Sequence, residues 1–293
     1  MKYNNVEIIR ADEMGFCSGV QDAVKLAEKL CQEYSYTNIF MLGMLVHNEQ
    51  VIKDLNDIGI KIISEEQVTT KEINVKKTDV VIVRAHGTTK EIYMLLEETG
   101  AKIYDAACVF VKRIRRIMEK KIKDGFEIIF LGDKNHPEVK GIISHGDNIK
   151  VFSNVKSLEE AKLNKNKKYF FMAQTTLNIM LYNEIKSYIE NNFKNSQIGN
   201  TICGATHVRQ KAVEKLAKET DLVLVVGGRN SSNTKKLYEI SKLYNHNSYL
   251  IEDYRELHMI DFGDFNKIGI TAGASTPEKS IIEIERIIKG EVL

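Results

Sequence analysis

Three cysteines sit where an apolar, strand-like run hands over to a helical pattern. They are Cys17 in ADEMGFCSGVQDAVKLAEKL, Cys108 in KIYDAACVFVKRIRRIMEKK and Cys203 in GNTICGATHVRQKAVEKLA. Cys108 lies 91 residues beyond Cys17, and Cys203 lies 95 beyond Cys108. Thiolates brought together from such junctions would hold a soft metal. Structural zinc wants four nitrogen or sulfur ligands, usually as close pairs, and no C-x-x-C occurs here. Three cysteines suit instead an iron–sulfur cluster with one iron left open, able to coordinate a substrate oxygen and deliver electrons. The fourth, Cys31, falls inside the helical pattern VQDAVKLAEKLC and reads as a small buried hydrophobe.

Polar residues recur in step with the cysteines. Just past the next strand come His47, His136 and the NSSN run ending at Asn233, each 28 to 30 residues beyond its cysteine. After a further helix and strand come His86, then Thr175 or Thr176, then Ser275. His47, His86, Ser231, Ser232, Asn233 and Ser275 are donors suited to phosphate oxygens. Several precede helices, whose N-terminal amides favour anions. A lone strand-end histidine is ordinarily a cap or core residue; three at matching junctions point to a site. His145, His207, His246 and His258 receive no role. Glu138, two residues beyond His136 and beside a proline that starts a helix, is the general-acid candidate. Its rival reading is a solvent-exposed helix start. Neither G-x-x-x-x-G-K-[ST] nor G-x-G-x-x-G occurs, so electrons would come from a partner protein rather than a bound nucleotide.

The elements that must position these residues alternate throughout. Nine short Ile/Val-rich runs, VEIIR, NIFML, DVVIVRA, KIYDA, EIIFLG, YFFMA, LVLVVGG, SYLIE and KIGITAG, read as buried parallel strands. Between them lie helical patterns such as VQDAVKLAEKLCQEY, VKRIRRIMEKKIKD and VRQKAVEKLAKET, apolar at three- and four-residue spacing. The expected fold is α/β, a trefoil of three similar units with small, mostly parallel sheets around a pseudo-threefold axis and a central cluster. The units would span 18–107, 108–202 and 203–293 plus 1–17, the N-terminal VEIIR supplying a strand that the third unit lacks. An ordinary two-domain doubly wound protein is the rival, but it leaves the repeated polar positions to chance.

Bulk properties agree with a soluble catalyst. The 293 residues suffice for two or three domains, and a net charge of +2 gives no case for nucleic acid or an anionic membrane as main partner. The N-terminus lacks an apolar signal region, and runs such as LVLVV are far too short to span a bilayer. A cytoplasmic monomer is expected, with reduced thiols.

The blocks GFCSGV, LVHNEQV, RAHGTT, DAAC, HPEVKG, QTTL, TICGATHVRQ, NSSNT and TAGAST, in this order along essentially the whole chain, resemble the 4-hydroxy-3-methylbut-2-enyl diphosphate reductase family. The resemblance implies one four-iron, four-sulfur cluster held by Cys17, Cys108 and Cys203, its fourth iron open to substrate or water. It implies reductive dehydroxylation of an allylic diphosphate, (E)-4-hydroxy-3-methylbut-2-enyl diphosphate, to isopentenyl and dimethylallyl diphosphates. That is the last step of the non-mevalonate isoprenoid pathway, with ferredoxin or flavodoxin as electron donor. His47, His86, His136, Ser231, Ser232, Asn233 and Ser275 fall on its diphosphate-binding positions, and Glu138 on its proton donor, with His136 beside it. QTTL carries the threonine that orients the substrate hydroxyl, at Thr175 or Thr176. Three features depart from the family. Ala107-Cys108-Val109 replaces Thr-Cys-Pro, Asp133 follows Gly132 where a histidine is frequent, and the sequence is expected to lack the ribosomal S1-like extension of some relatives. Rival readings are a cluster-dependent dehydratase or reductase of another phosphorylated alcohol, and a non-catalytic iron–sulfur sensor.

Overall fold

A computed structural model describes residues 6–263 and 265–291; residues 1–5 and 292–293 of the expected third unit lie outside them. The first sheet in the sequence is built from β2 (Ile39–Leu42), β3 (Ile60–Ile63), β4 (Val80–Val83) and β5 (Lys102–Asp105). The next is built from β6 (Glu127–Leu131), β7 (Lys150–Phe152), β8 (Tyr169–Ala173) and β9 (Gln197–Ile198). The last contains β10 (Leu222–Val226), β11 (Ser248–Ile251) and β12 (Lys267–Ala272), with β1 (Glu7–Arg10) as its fourth strand. The orders are β3-β2-β4-β5, β7-β6-β8-β9 and β11-β10-β12-β1. Every pairing is parallel. One topology therefore occurs three times. Its strand order reverses between the first and third strands, the place where parallel sheets open a crevice at their carboxyl ends.

Helices α1 (Ser18–Glu33), α2 (Glu49–Asp57), α3 (Glu65–Thr69) and α4 (Lys90–Glu98) intersperse the first set of strands. Helices α5 (Val109–Lys123), α6 (Pro137–Ile143), α7 (Val155–Glu160) and α8 (Ile179–Asn192) serve the second. Helices α9 (Gly204–Glu219), α10 (Ser232–Tyr244) and α11 (Glu278–Ile288) serve the third. Two compact units result. One comprises Met1–Val20, His47–Val51 and Gly204–Leu293, the other Gln21–Val46 and Ile52–Cys203.

Strands covered on both faces must be apolar at every position, and the central ones are: VVIV, YFFMA and LVLVV are buried throughout. Along β10 the period of two splits the side chains between two cores. Val223 and Val225 pack with Val213, Leu216 and Leu237. Leu222, Leu224 and Val226 pack with Ile281, Ile284 and Ile288. In β6, Ile128 and Phe130 likewise join Ile114, Met118 and Ile142, while Ile129 and Leu131 join Ile185 and Ile189.

Nine of the twelve strands among the described residues are those expected from the sequence. The three it misses, β3, β7 and β9, are all edge strands of two to four residues. β3, for example, exposes Lys61 and Ile62, so its pattern is not that of a buried run. The helices open directly after the cysteines, as the sequence pattern predicts: α9, for example, starts at Gly204, immediately after Cys203.

Close packing at the turn after β12 leaves no room for a side chain. A Cβ at Gly273 would lie 2.1 Å from Thr234 Oγ1 and 3.2 Å from its Cβ, and Thr234 is fully buried. Gly273→Ala is expected to lower stability by about 1–3 kcal/mol through overpacking. Thr234→Ala should restore most of the loss, because it empties the clashing volume. Denaturant midpoints of the two single variants and the double variant check this.

Candidate functional site

Each cysteine that the sequence singles out immediately precedes a helix: Cys17 before α1, Cys108 before α5 and Cys203 before α9. Each is also tied to its sheet by the same backbone bond. Cys17 N–H donates to Ala274 O (3.0 Å), Cys108 N–H to Ala85 O (2.9 Å) and Cys203 N–H to Thr175 O (3.1 Å). All three acceptors lie two residues past the end of the third strand of a sheet. A thiol so placed rides on the sheet's own register. All four cysteines are half-buried and none forms a disulfide. Cys31 lies in the last turn of α1, and burial, with Glu28 adding to it, pushes its thiol up from the ordinary value. It stays apart from the repeated pattern.

The same bonds fix which polar residues are equivalent. Gly87 N–H donates to Arg84 O, Leu177 N–H to Gln174 O and Thr276 N–H to Gly273 O. This aligns His86, Thr176 and Ser275, and places Thr175 level with Ala85 and Ala274. After the first strand of each sheet the helix-preceding residues are Asn48, His136 and Ser231. His47 therefore falls one residue short of His136, because the first repeat carries an extra residue between its strand-end glycine and its helix.

In the unit containing β10, Ser275 Oγ donates to His47 O (3.1 Å). A Cβ at Gly228 would meet the same carbonyl at 2.7 Å, so only glycine lets these backbones approach. Ser231 caps α10, its Oγ accepting from Thr234 N–H (3.3 Å). Ser232 opens the helix half-buried, while Ser231, Asn233 and Ser275 are buried. Asn233 Nδ2 is buried with no hydrogen-bond acceptor in the protein. A buried donor without a partner costs stability unless a ligand supplies one, and a phosphate oxygen beside a helix N-terminus is a suitable acceptor.

The other unit holds Cys108, Cys203, His86, His136, Glu138, Thr175 and Thr176. His136 precedes Pro137 of α6 and accepts Glu138 N–H on Nδ1 (3.2 Å). A neutral ring so held carries its proton on Nε2, as a donor. The His86 and His136 rings meet edge to face, centroids 5.5 Å apart. Glu138 is 1% exposed, which removes the solvent-exposed alternative. Its Oε1 accepts Thr175 N–H (2.7 Å) and its Oε2 accepts Thr175 Oγ–H (2.5 Å). Burial pushes the carboxyl above its ordinary value, and the two bonds from Thr175 oppose that shift only in part. Between the two threonines left open by the sequence, Thr175 is the one that touches Glu138. Thr176 Oγ accepts instead from Gln174 Nε2 (3.0 Å).

A scan of the chain against protein-family models matches the LytB protein family over residues 8–289. The chain belongs to the LytB family. A 4-hydroxy-3-methylbut-2-enyl diphosphate reductase of Fusobacterium nucleatum is 46% identical over 97% of this chain. The chain spans about a third (34%) of that relative's length. A reductase of the same name from Caldanaerobacter subterraneus is 38% identical over 98% of this chain and 99% of its own. Among solved structures, the E-1-hydroxy-2-methyl-but-2-enyl-4-diphosphate reductase of Plasmodium falciparum matches with a TM-score of 0.88 at 29% identity. That match covers 99% of this chain and 91% of the other. A structure described as (E)-4-hydroxy-3-methyl-but-2-enyl diphosphate reductase, the terminal enzyme of the non-mevalonate pathway, matches at 36% identity with a TM-score of 0.69 over 97% and 99% of the two chains.

Several residues that hold this LytB site in place escape a reading by motif. Gln174 links two turns, its Oε1 accepting Asp133 N–H (3.1 Å) while its Nε2 reaches Thr176. Asp133 is exposed and accepts Asn135 N–H (2.9 Å), so this unusual acid shapes a turn. Thr201 Oγ both accepts Ala173 N–H and donates to Ala173 O, each at 2.7 Å, and so fastens the approach to Cys203 onto the end of β8. Arg209, 4% exposed, donates to Gly15 O (2.9 Å) and Phe16 O (3.4 Å) just ahead of Cys17. Beside Cys108, Asp105 Oδ1 accepts Ala107 N–H (2.9 Å) and supplies turn chemistry where the family's threonine and proline are missing. Gln174, Thr201 and Arg209 all lie inside blocks quoted above, but only the fold shows what they hold.

The raised titration of Glu138 has a thermodynamic signature. Its folded value is raised, so this group's contribution to stability is fully present below the ordinary carboxylate value and is lost as pH rises through the folded one. Wild-type unfolding midpoints should therefore fall across that window relative to Glu138→Gln, whose side chain does not titrate. Thr175→Ala removes a bond that opposes the shift and should move the carboxyl titration, followed by infrared difference spectroscopy, to higher pH. Thr176→Ala should leave it in place.

Proposed function

We propose that this chain reduces (E)-4-hydroxy-3-methylbut-2-enyl diphosphate to isopentenyl and dimethylallyl diphosphates as the last enzyme of the non-mevalonate isoprenoid pathway, in the cytoplasm. One observation carries the reading. Thr175 gives its N–H and O–H to the buried Glu138 while its carbonyl receives Cys203 N–H, so a candidate proton donor and a candidate metal ligand share one residue. Membership of the LytB family, together with the names of its relatives, supports the substrate.

The donor set fits the implied group. Three half-buried thiols, each immediately ahead of a helix, suit an iron–sulfur cluster rather than a hard cation. Cys17, Cys108 and Cys203 would hold one four-iron, four-sulfur cluster, each cysteine standing at a boundary between two of the three proposed units (18–107, 108–202, and 203–293 with 1–17). When bound, such a cluster supplies a Lewis-acidic iron for the substrate oxygen and a route for electrons.

The chain's own residues do the rest. Ser231, Ser232, Asn233, Ser275, His47, His86 and His136 bind the diphosphate through neutral donors and the N-terminus of α10. Thr175 orients the substrate hydroxyl. Glu138, kept protonated by burial, delivers a proton to the leaving oxygen, with His136 fixing the position of its backbone. In balance, the C–O bond breaks, two electrons and two protons enter, and water leaves. The electrons come from ferredoxin or flavodoxin.

The test is anaerobic purification followed by iron and sulfide analysis and turnover with a chemical reductant. Glu138→Gln should keep iron and substrate affinity while turnover falls roughly 10²–10⁴-fold. Cys17→Ser, Cys108→Ser and Cys203→Ser should each lose iron, and Cys31→Ser should not. Full turnover in Glu138→Gln would remove its proton-donor role, and zinc in place of iron would remove the mechanism.

A further inference from the structure

Helix α5 concentrates charge that the rest of the chain does not share. It carries Lys112, Arg113, Arg115, Arg116, Lys120, Lys121 and Lys123 against one acid, Glu119. That is +6 within a chain of net +2, so the other residues sum to −4. Cations in the last turn agree with the helix dipole. Four of the seven, however, crowd the first two turns, against the dipole and against one another. Asp105 answers Lys112 (3.1 Å), and Glu119 lies 3.9 Å from Arg115.

Four of the five remaining cations form a stripe; the fifth, Lys121, donates to Gln197 Oε1 (2.6 Å). Val109, Arg113, Arg116, Lys120 and Lys123 are the exposed residues of the helix. Alternating steps of four and three residues stack them along one face. Among the described residues no ion pair involves any of these four cations. At the head of the stripe Val109 is 68% exposed, directly after Cys108. A small apolar contact beside a redox centre, led by unpaired charge, is the form of a transient electron-transfer interface. No nucleotide motif offers an internal electron source, and the one cysteine outside the candidate ligand set, Cys31, lies in the last turn of α1.

We propose that the α5 face from Val109 to Lys123 is the docking surface for an acidic one-electron carrier protein, with Val109 at its centre of approach. This rests on the iron–sulfur reductase reading and adds the surface to it. Each encounter oxidises the carrier by one electron, and two encounters supply the pair that the reaction consumes. The long-range attraction raises the encounter rate and weakens with salt. Nucleic acid and anionic membranes are also drawn to cations, but neither explains an exposed valine next to a candidate metal ligand.

The experiment uses the anaerobic holoenzyme and a reduced acidic ferredoxin, with rates followed by stopped flow across a range of salt concentrations. Arg113→Glu/Arg116→Glu should lower the second-order rate constant roughly ten- to a hundred-fold at low salt and flatten its salt dependence. Lys120→Glu/Lys123→Glu, farther from Cys108, should do less. Turnover driven by methyl viologen, a small cationic mediator, should be unchanged in both. Arg113→Gln/Arg116→Gln serves as a milder second variant and should fall between. Ferredoxin-driven rates and salt dependence equal to wild type would overturn the proposal, as would tight binding of RNA or anionic vesicles abolished by the same variants while ferredoxin rates stay unchanged. A wild-type holoenzyme inactive with methyl viologen would remove the underlying reading, and the surface with it.

Discussion

A single kind of hydrogen bond governs where the candidate ligands stand: the amide of each of three cysteines reaching a carbonyl beyond the third strand of a sheet. Backbone groups in a buried turn must be paired, so the bond is obligatory as well as positional. It converts strand register into thiol placement. A one-residue slip in β4, β8 or β12 would carry a cysteine, and the helix it precedes, away from its place. The apolar cores on both faces of each sheet are what prevent that slip. The chemistry therefore depends on burial of Val, Ile and Phe far from any reacting atom.

Glu138 shows how the same scaffold sets protonation. Two donors from one threonine, Thr175, reach its carboxylate, and the cost of burying the charge prevails over these hydrogen bonds. The result is a buried acid inside a candidate site whose proposed diphosphate-binding groups include hydroxyl and amide donors, which carry no charge. Neutral donors fit this purpose, since a strong cation beside Glu138 would draw its proton away.

Much of this is legible in the sequence, because repetition multiplies a weak signal. One cysteine before a helix means little; three at near-equal spacing, each followed by two polar positions, define a unit. What stayed hidden has physical causes. The edge strands β3, β7 and β9 are too short and too exposed to show the apolar run that marks a central strand. The choice between Thr175 and Thr176 turns on side-chain direction, which adjacent residues in a turn do not reveal. Gln174, Thr201 and Arg209 act by holding backbone or turn groups, and such roles leave no spacing rule to read.

The edge pairing of β1 with β12 has a consequence for synthesis. Glu7 aligns with Lys267, so a strand made among the first residues finds its partner only after about 260 more have been added. At ribosomal speeds of about 5–20 residues per second, that is a delay of roughly 13–50 s. During it β1 has no neighbour in its own sheet, and Cys17 has no carbonyl at Ala274 to hold it. The first of the three candidate ligands to be translated is thus the last to gain its anchoring bond, which waits for completion of the final strand of the sheet.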